Sequence, residues 1–172
     1  MKGSHNNTLL ITSCSNKKKK IMDPMTIRAD KLYQGQFFRG VYKFTKKWKF
    51  RLAIISAKYG FIYGEEQISW YDKRLKKKRD VQALKERNYR KIDLAFKNHH
   101  RIIALMGKLY LVVLEDFLGS EKFTYAVDHQ GIGGWNRLIS LLNQIDDREI
   151  IENILSPNIL SFSKEYLERW IH

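Results

Sequence analysis

The stretch "TLLITSCS", residues 8–15, decides how the rest of the chain is read. An uncharged run rich in Leu, Ile and Thr reads as a buried strand, and "SCS" at its end reads as a small polar loop. The same order returns three times. "FRLAIIS" (50–56) runs into "AKYG", "HRIIALM" (100–106) into "GKLY", and "FTYAV" (123–127) into "DHQGIGG". Between these runs lie segments with helical periodicity. "GQFFRGVYKFTKKW" (35–48) spaces Phe37, Val41, Phe44 and Trp48 for one face, and "RDVQALKERNYRKIDLAF" (79–96) does so with Val81, Leu84, Ile92 and Ala95. "KLYLVVLEDFL" (108–118) and "WNRLISLLNQI" (135–145) complete the set, the latter through Trp135, Leu138, Leu142 and Ile145. Strands alternating with helices predict an α/β fold with a mostly parallel sheet flanked by helices. "DREIIENIL", capped by Asp146 or Asp147, and "SKEYLERWIH", capped by Ser163 beyond Pro157, are expected as two short C-terminal helices.

The chain has 172 residues, 44% of them hydrophobic and 13% aromatic. That length and composition predict one folded domain, 1–172, ending in a helical tail over 145–172. The single cysteine, Cys14, rules out a disulfide within the chain and a cysteine-rich zinc site. A reducing, cytoplasmic setting follows as the default. The N-terminus does not read as a secretory signal, and the longest apolar run, "IIALMGKLYLVVL", is too short and too interrupted to span a membrane.

Charge is the strongest global signal. The formal net charge is +14, and residues 1–108 carry 27 Lys+Arg against 8 Asp+Glu, while residues 109–172 carry 5 against 10. A positive field confined to one part of the chain fits a phosphate polyanion, and a lysine-rich surface that merely keeps the protein soluble is the plainer alternative. In "YKFTKKWKFR" aromatic residues interleave the charge, so rings can stack on bases while lysines hold phosphates.

In parallel sheets, ligands bind beyond the carboxyl ends of the strands. "SCSNK", "SAKYG", "GKLY" and "DHQGIGG" all fall there, which predicts that four loops converge on one crevice. In "SCSNKKKK", Ser13, Cys14 and Ser15 can present backbone N–H groups to a phosphate with Lys17 and Lys18 adding charge. Cys14 as a nucleophile needs a base, and no histidine is near it in sequence. In "SAKYG", Lys58 is either a phosphate ligand, an amine nucleophile or a solvated lysine, and Gly60 permits a sharp turn. In "WYDKRL", Tyr71 or Trp70 can stack on an extruded base, and Asp72 can orient water or stabilise a sugar cation; an Asp-capped turn ahead of a basic helix is the plainer reading. Lys76, Lys77, Lys78 and Arg79 read as a phosphate-facing helix start. Gly131 and Gly133 allow close backbone approach ahead of a helix. His99 and His100 are adjacent, so no i,i+4 metal pair forms, and no metal or other cofactor is expected.

Taken together, "LLITSCSNKK", "LYQGQFF", "ISAKYGFI…ISWYDKRL", "ALMGKLY" and "GIGGWNRLISLL" resemble the YaaA-like group of small proteins and its DUF6884-type family. The likeness covers about residues 8–144, with Gly35 standing where a small hydroxyl residue is commoner. It falls on Ser13, Ser15, Lys17, Tyr33, Phe38, Ser56, Lys58, Tyr59, Gly60, Tyr71, Asp72, Gly107, Tyr110, Gly131 and Gly133. The resemblance implies an α/β core, association with nucleic acid, and kinship with DNA glycosylases for modified pyrimidines such as 5-hydroxymethyluracil. The expectation is therefore a DNA-binding glycosylase with Asp72 activating water, Lys58 as an alternative nucleophile, and Tyr71 and Phe38 sandwiching the base. DNA is expected as partner ahead of RNA, and no membrane. A non-enzymatic nucleic-acid binder and a nucleoside base-transfer enzyme are the rival readings.

Overall fold

The computed structural model describes residues 7–126, 131–155 and 161–162. In chain order the elements are β1 (Thr8–Ser13), β2 (Ile27–Arg28), α1 (Ala29–Leu32), α2 (Gln36–Trp48), β3 (Arg51–Ser56), β4 (Gly60–Tyr63), β5 (Gln67–Ile68), α3 (Lys78–Asn98), β6 (Arg101–Leu105), α4 (Lys108–Leu111), a 3₁₀ segment (Val112–Phe117), β7 (Phe123–Ala126), α5 (Gly131–Gln144), α6 (Arg148–Ile154) and β8 (Ser161–Phe162). The main sheet has the order β4-β3-β1-β6-β7-β8, and every neighbouring pair is parallel except β3 with β4. The α/β expectation holds.

Period-two alternation builds the layers. Leu10, Ile54 and Ile103 face one side, where α2, α5 and α6 cover them with Phe38, Val41, Phe44, Leu138 and Ile151. Leu9, Ile11, Ala53, Ile55, Ile102 and Ala104 face the other, against Val81, Leu84, Ile92 and Phe96 of α3 and Val113 and Leu114 of the 3₁₀ segment. A strand covered on both faces must be apolar along its whole length, which is why these runs show no polar alternation.

Four details differ from the sequence expectation. Gly60 opens a short antiparallel strand, paired Ser56↔Gly60 through Ala53↔Tyr63, where only a turn was expected. Gly60 has φ +77°, and a Cβ there would lie 2.2 Å from Asn88 Oδ1. The buried Asn88 amide accepts from Phe61 N–H and donates to Leu84 O, so it ties α3 to this turn. The 108–118 segment divides into one α turn and a 3₁₀ run. Helix α5 begins at Gly131, so Gly131 and Gly133 belong to its first turn rather than to the loop before it. Finally, Ser161–Phe162 adds a parallel strand beside β7. The expected "SKEYLERWIH" helix, the last residue of the expected "FTYAV" strand and the "DHQ" of the expected "DHQGIGG" loop lie outside the described residues. Asp147, not Asp146, caps α6, accepting from Glu149 and Ile150 N–H.

Strand β1 sits in the middle of the sheet. The chain leaves it to build β3 on one side and later returns to build β6 on the other. That reversal opens a crevice beyond the carboxyl end of β1. No helix among the described residues is long and apolar enough to cross a membrane.

Candidate functional site

A cleft of about 640 Å³ lies at this reversal, lined by Ser13 at the end of β1 and Cys14, Ser15, Asn16 and Lys17 after it, Gly35, Gln36, Phe37 and Phe38 at the start of α2, Arg74, Leu75 and Lys76, Tyr110 of α4, and Asn136 of α5. Each part is placed by an identifiable bond. The ladder between β1 and β3 extends one residue further through Cys14 N–H to Ile55 O at 3.0 Å, which fixes the start of the loop. Ser15 Oγ donates to Lys17 O at 2.7 Å and accepts from Gly35 N–H at 3.1 Å, folding the loop onto the N-terminus of α2. A Cβ on Gly35 would come 2.7 Å from Ser15 Cβ, so only glycine allows this approach. The first turn of α2 has no acidic residue and no side-chain cap, leaving its N–H groups and positive end directed at the cleft.

Cys14 Sγ lies 3.4 Å from Tyr110 Oη. Behind it runs a buried hydroxyl chain: Tyr71 Oη is 2.8 Å from both Tyr33 Oη and Ser56 Oγ, and Ser56 Oγ accepts from Tyr59 N–H at 3.1 Å. Burial raises Tyr33, Tyr71 and Tyr110 above an ordinary phenol, and the nearby Cys14 thiol adds to each rise. Lys18 Nζ sits 4.4 Å over the Tyr71 ring. Burial lowers the Lys18 ammonium pKa; Cys14 and Asp72 pull it back up, and Arg74 adds to the lowering. Of these four residues, Cys14 and Arg74 line the cleft, while Lys18 and Asp72 do not.

The expected residues therefore separate into groups. Ser13, Cys14, Ser15, Lys17, Phe38, Lys76 and Tyr110 meet in the cleft; of the four loops expected to converge there, "SCSNK" and "GKLY" line it. Tyr71 and Phe38 are 4% and 1% exposed, so neither has a free ring face with which to sandwich a base; Phe38 is a packed wall of the cleft, and Tyr71 does not line it. Tyr33 and Ser56 stand behind them as hydrogen-bonding supports. Lys58 and Tyr59 do not border the cleft. The chain turns after Ser56, and both residues line a second hollow of about 440 Å³ with Ile21, Asp23, Met25, Ser69 and Trp70. "SAKYG" and "YD" are thus not two walls of one pocket. Gly60 shapes the turn, and Gly107 is the N-terminal cap of α4, its carbonyl accepting from Tyr110 and Leu111 N–H. Gly133 is exposed, with nothing within 4 Å of the place a Cβ would occupy. Lys77 is the N-cap of α3, while Lys78 and Arg79 border a third hollow beside Leu109 and Val112.

Sequence reasoning missed Arg74, Gln36 and Asn136. Arg74 lies inside the quoted "YDKRL" run, so charge beside Asp72 was the available signal. Gln36 and Asn136 carried none, because each reaches the cleft only through the packing of α2 and α5.

These features define an α/β protein with a cation-rimmed, aromatic-lined cleft at the switch point of a parallel sheet. Residues 9–144 match the family of unknown function DUF6884, and the chain belongs to that family. No curated protein and no solved structure matches it.

Proposed function

We propose that the protein binds DNA and acts on it as a glycosylase, taking one modified pyrimidine nucleotide into the cleft after β1. The observation that carries the reading is the composition of that cleft: Lys17, Arg74 and Lys76 on its rim, the open N-terminus of α2 facing it, and Phe37, Leu75 and Tyr110 on its walls. Cations and helix N–H groups suit a phosphate, and flat apolar walls suit a base. The volume, about 640 Å³, falls within the range of small-molecule sites. Extruding a base costs a few kcal/mol, which phosphate contacts from the basic part of the chain offset.

In this reading Asp72, exposed two residues before the cleft-lining Arg74 and within electrostatic reach of Lys18, takes a proton from the water that bonds to C1′ as the bond between C1′ and the base breaks. The base leaves with the electron pair of that bond, and the cationic rim offsets its developing negative charge. Lys58 has no place in this chemistry, since it lines the other hollow. A cytoplasmic location, the default for a chain with a single cysteine, belongs to the same reading.

Duplexes carrying single modified pyrimidines, scored for abasic sites, test the proposal. Wild type releases one such base, and Asp72→Asn binds the same duplex but releases it at least about a hundredfold more slowly, the low end of a general base's contribution. Tight, salt-sensitive binding with no release from any duplex would leave a binding module in place of an enzyme.

A further inference from the structure

We infer that the hollow around Trp70 stacks an unpaired nucleobase next to the one entering the cleft. This rests on the nucleic-acid part of the proposed function and not on glycosidic chemistry. The exposed large apolar side chains of the described residues include Met22 (77%), Met25 (55%) and Trp70 (43%). Met25 and Trp70 line one hollow with Tyr59, Ile21 and Lys58.

This apolar surface is held, not loose. The loop carrying Met22 and Met25 is anchored at one end by the Lys18↔Tyr33 bridge and Lys19 N–H to Leu32 O at 2.7 Å. At the other end β2 pairs with β5, and Met25 N–H to Met22 O at 2.8 Å closes the tip. Tyr59 Oη donates to Ser69 O at 3.2 Å and accepts from Ser69 N–H at 3.3 Å, which fixes the residue before Trp70. Holding a large ring in water with its neighbours fixed removes the ordering cost that a flexible loop would meet on binding.

Charge identifies the occupant. Lys17–Lys20 precede the loop, Lys58 stands in the hollow, and Lys73, Arg74 and Lys76 follow Trp70, against Asp23 and Asp72. Cations beside an exposed indole fit a phosphate backbone with its bases unstacked. The same two chain segments line both sites: Ser13–Lys17 and Arg74–Lys76 the cleft, Ile21–Met25 and Ser69–Trp70 the hollow. Arg74 lies four positions after Trp70, at most about 14 Å of chain, so one strand can reach both.

Fluorescence anisotropy compares a labelled single strand with an all-abasic strand of the same length and charge. Wild type prefers the base-bearing strand about tenfold, the effect of one stacked base. Trp70→Ala loses that preference while keeping its salt dependence, and Trp70→Phe keeps the preference; thermal melts check that both variants fold. A Trp70→Ala protein with the wild-type preference overturns the inference, as does wild type that binds both strands equally or binds poly-glutamate as tightly as DNA. Wild type that binds neither strand at low salt overturns the nucleic-acid reading itself. Absent base release with the Trp70 dependence intact removes only the glycosylase chemistry and supports the stacking site.

Discussion

Cys14 Sγ and Tyr110 Oη lie 3.4 Å apart, joining the loop after β1 to the helix after β6 inside the cleft. Ninety-six residues separate them in sequence, yet the parallel pairing of β1 with β6 brings them together. Since Cys14 is the only cysteine, it reports on the cleft with no background.

Alkylation of Cys14 by iodoacetamide, followed by mass spectrometry, falls severalfold when a saturating oligonucleotide is present, because the ligand covers the thiol. An unchanged rate at saturation places the nucleic acid elsewhere on the surface.

Alkali should unfold the protein. Burial raises the Tyr71, Tyr33 and Tyr110 hydroxyls above their unfolded value, so the folded state keeps them protonated after the unfolded chain has begun to ionise. Their contribution is complete below about pH 10 and declines as pH rises beyond it. Absorbance near 295 nm and circular dichroism followed together should show these tyrosines ionising with loss of structure. Early, reversible ionisation of all nine tyrosines in a folded protein contradicts the buried chain.

Tyr71→Phe removes the hydroxyl shared by Tyr33 and Ser56, leaving both with an empty partner position. Denaturant titration should give a loss of about 1–3 kcal/mol. Chemical stability equal to wild type means that the three hydroxyls do not act as a unit.

Gly60→Ala meets both a positive φ and the Asn88 amide, and should destabilise by roughly 2 kcal/mol or more. Asn88→Ala opens that space but strands Phe61 N–H. The double variant should therefore lose less than the sum of the two, and strict additivity in a double-mutant cycle would contradict the contact.

Substituting Lys77 and Lys78 by Glu should move stability and binding in opposite directions. Both stand at the N-terminal end of α3, where cations oppose the helix dipole and Asp80 is the only acid of the first turn. Glu at either place adds about 0.3–1 kcal/mol to stability while weakening DNA binding and flattening its salt slope by about 0.9 per lost phosphate contact. A higher Tm with unchanged affinity removes these lysines from the interface.

Much of the fold was legible because β1, β3 and β6 are covered on both faces, which forces an uninterrupted apolar run that no surface segment imitates. The cleft was half legible for the related reason that loops after parallel strands share one edge. What failed was direction. Lys58 was read as pointing into the site, but Gly60 reverses the chain into β4 and carries Lys58 to another hollow. Tyr71 was read as a free ring, although the hydroxyls of Tyr33 and Ser56, distant in sequence, draw it inside. Side-chain direction at a turn depends on tertiary partners, and a local pattern does not contain them. The glycines of α5 were read as a loop for the opposite reason: local propensity disfavours them, and the helix start overrides it.

Helix α2 rests under α5, where Asn143 Nδ2 donates to Gly40 O across 103 positions of sequence. A ribosome adding about 5–20 residues per second needs about 5–20 s to make that intervening chain. Over that interval the nascent polypeptide displays Phe38, Val41 and Phe44 without their cover, beside a strongly cationic stretch. Chaperone capture, or premature adhesion to nearby RNA, would compete with completion of the cleft during synthesis.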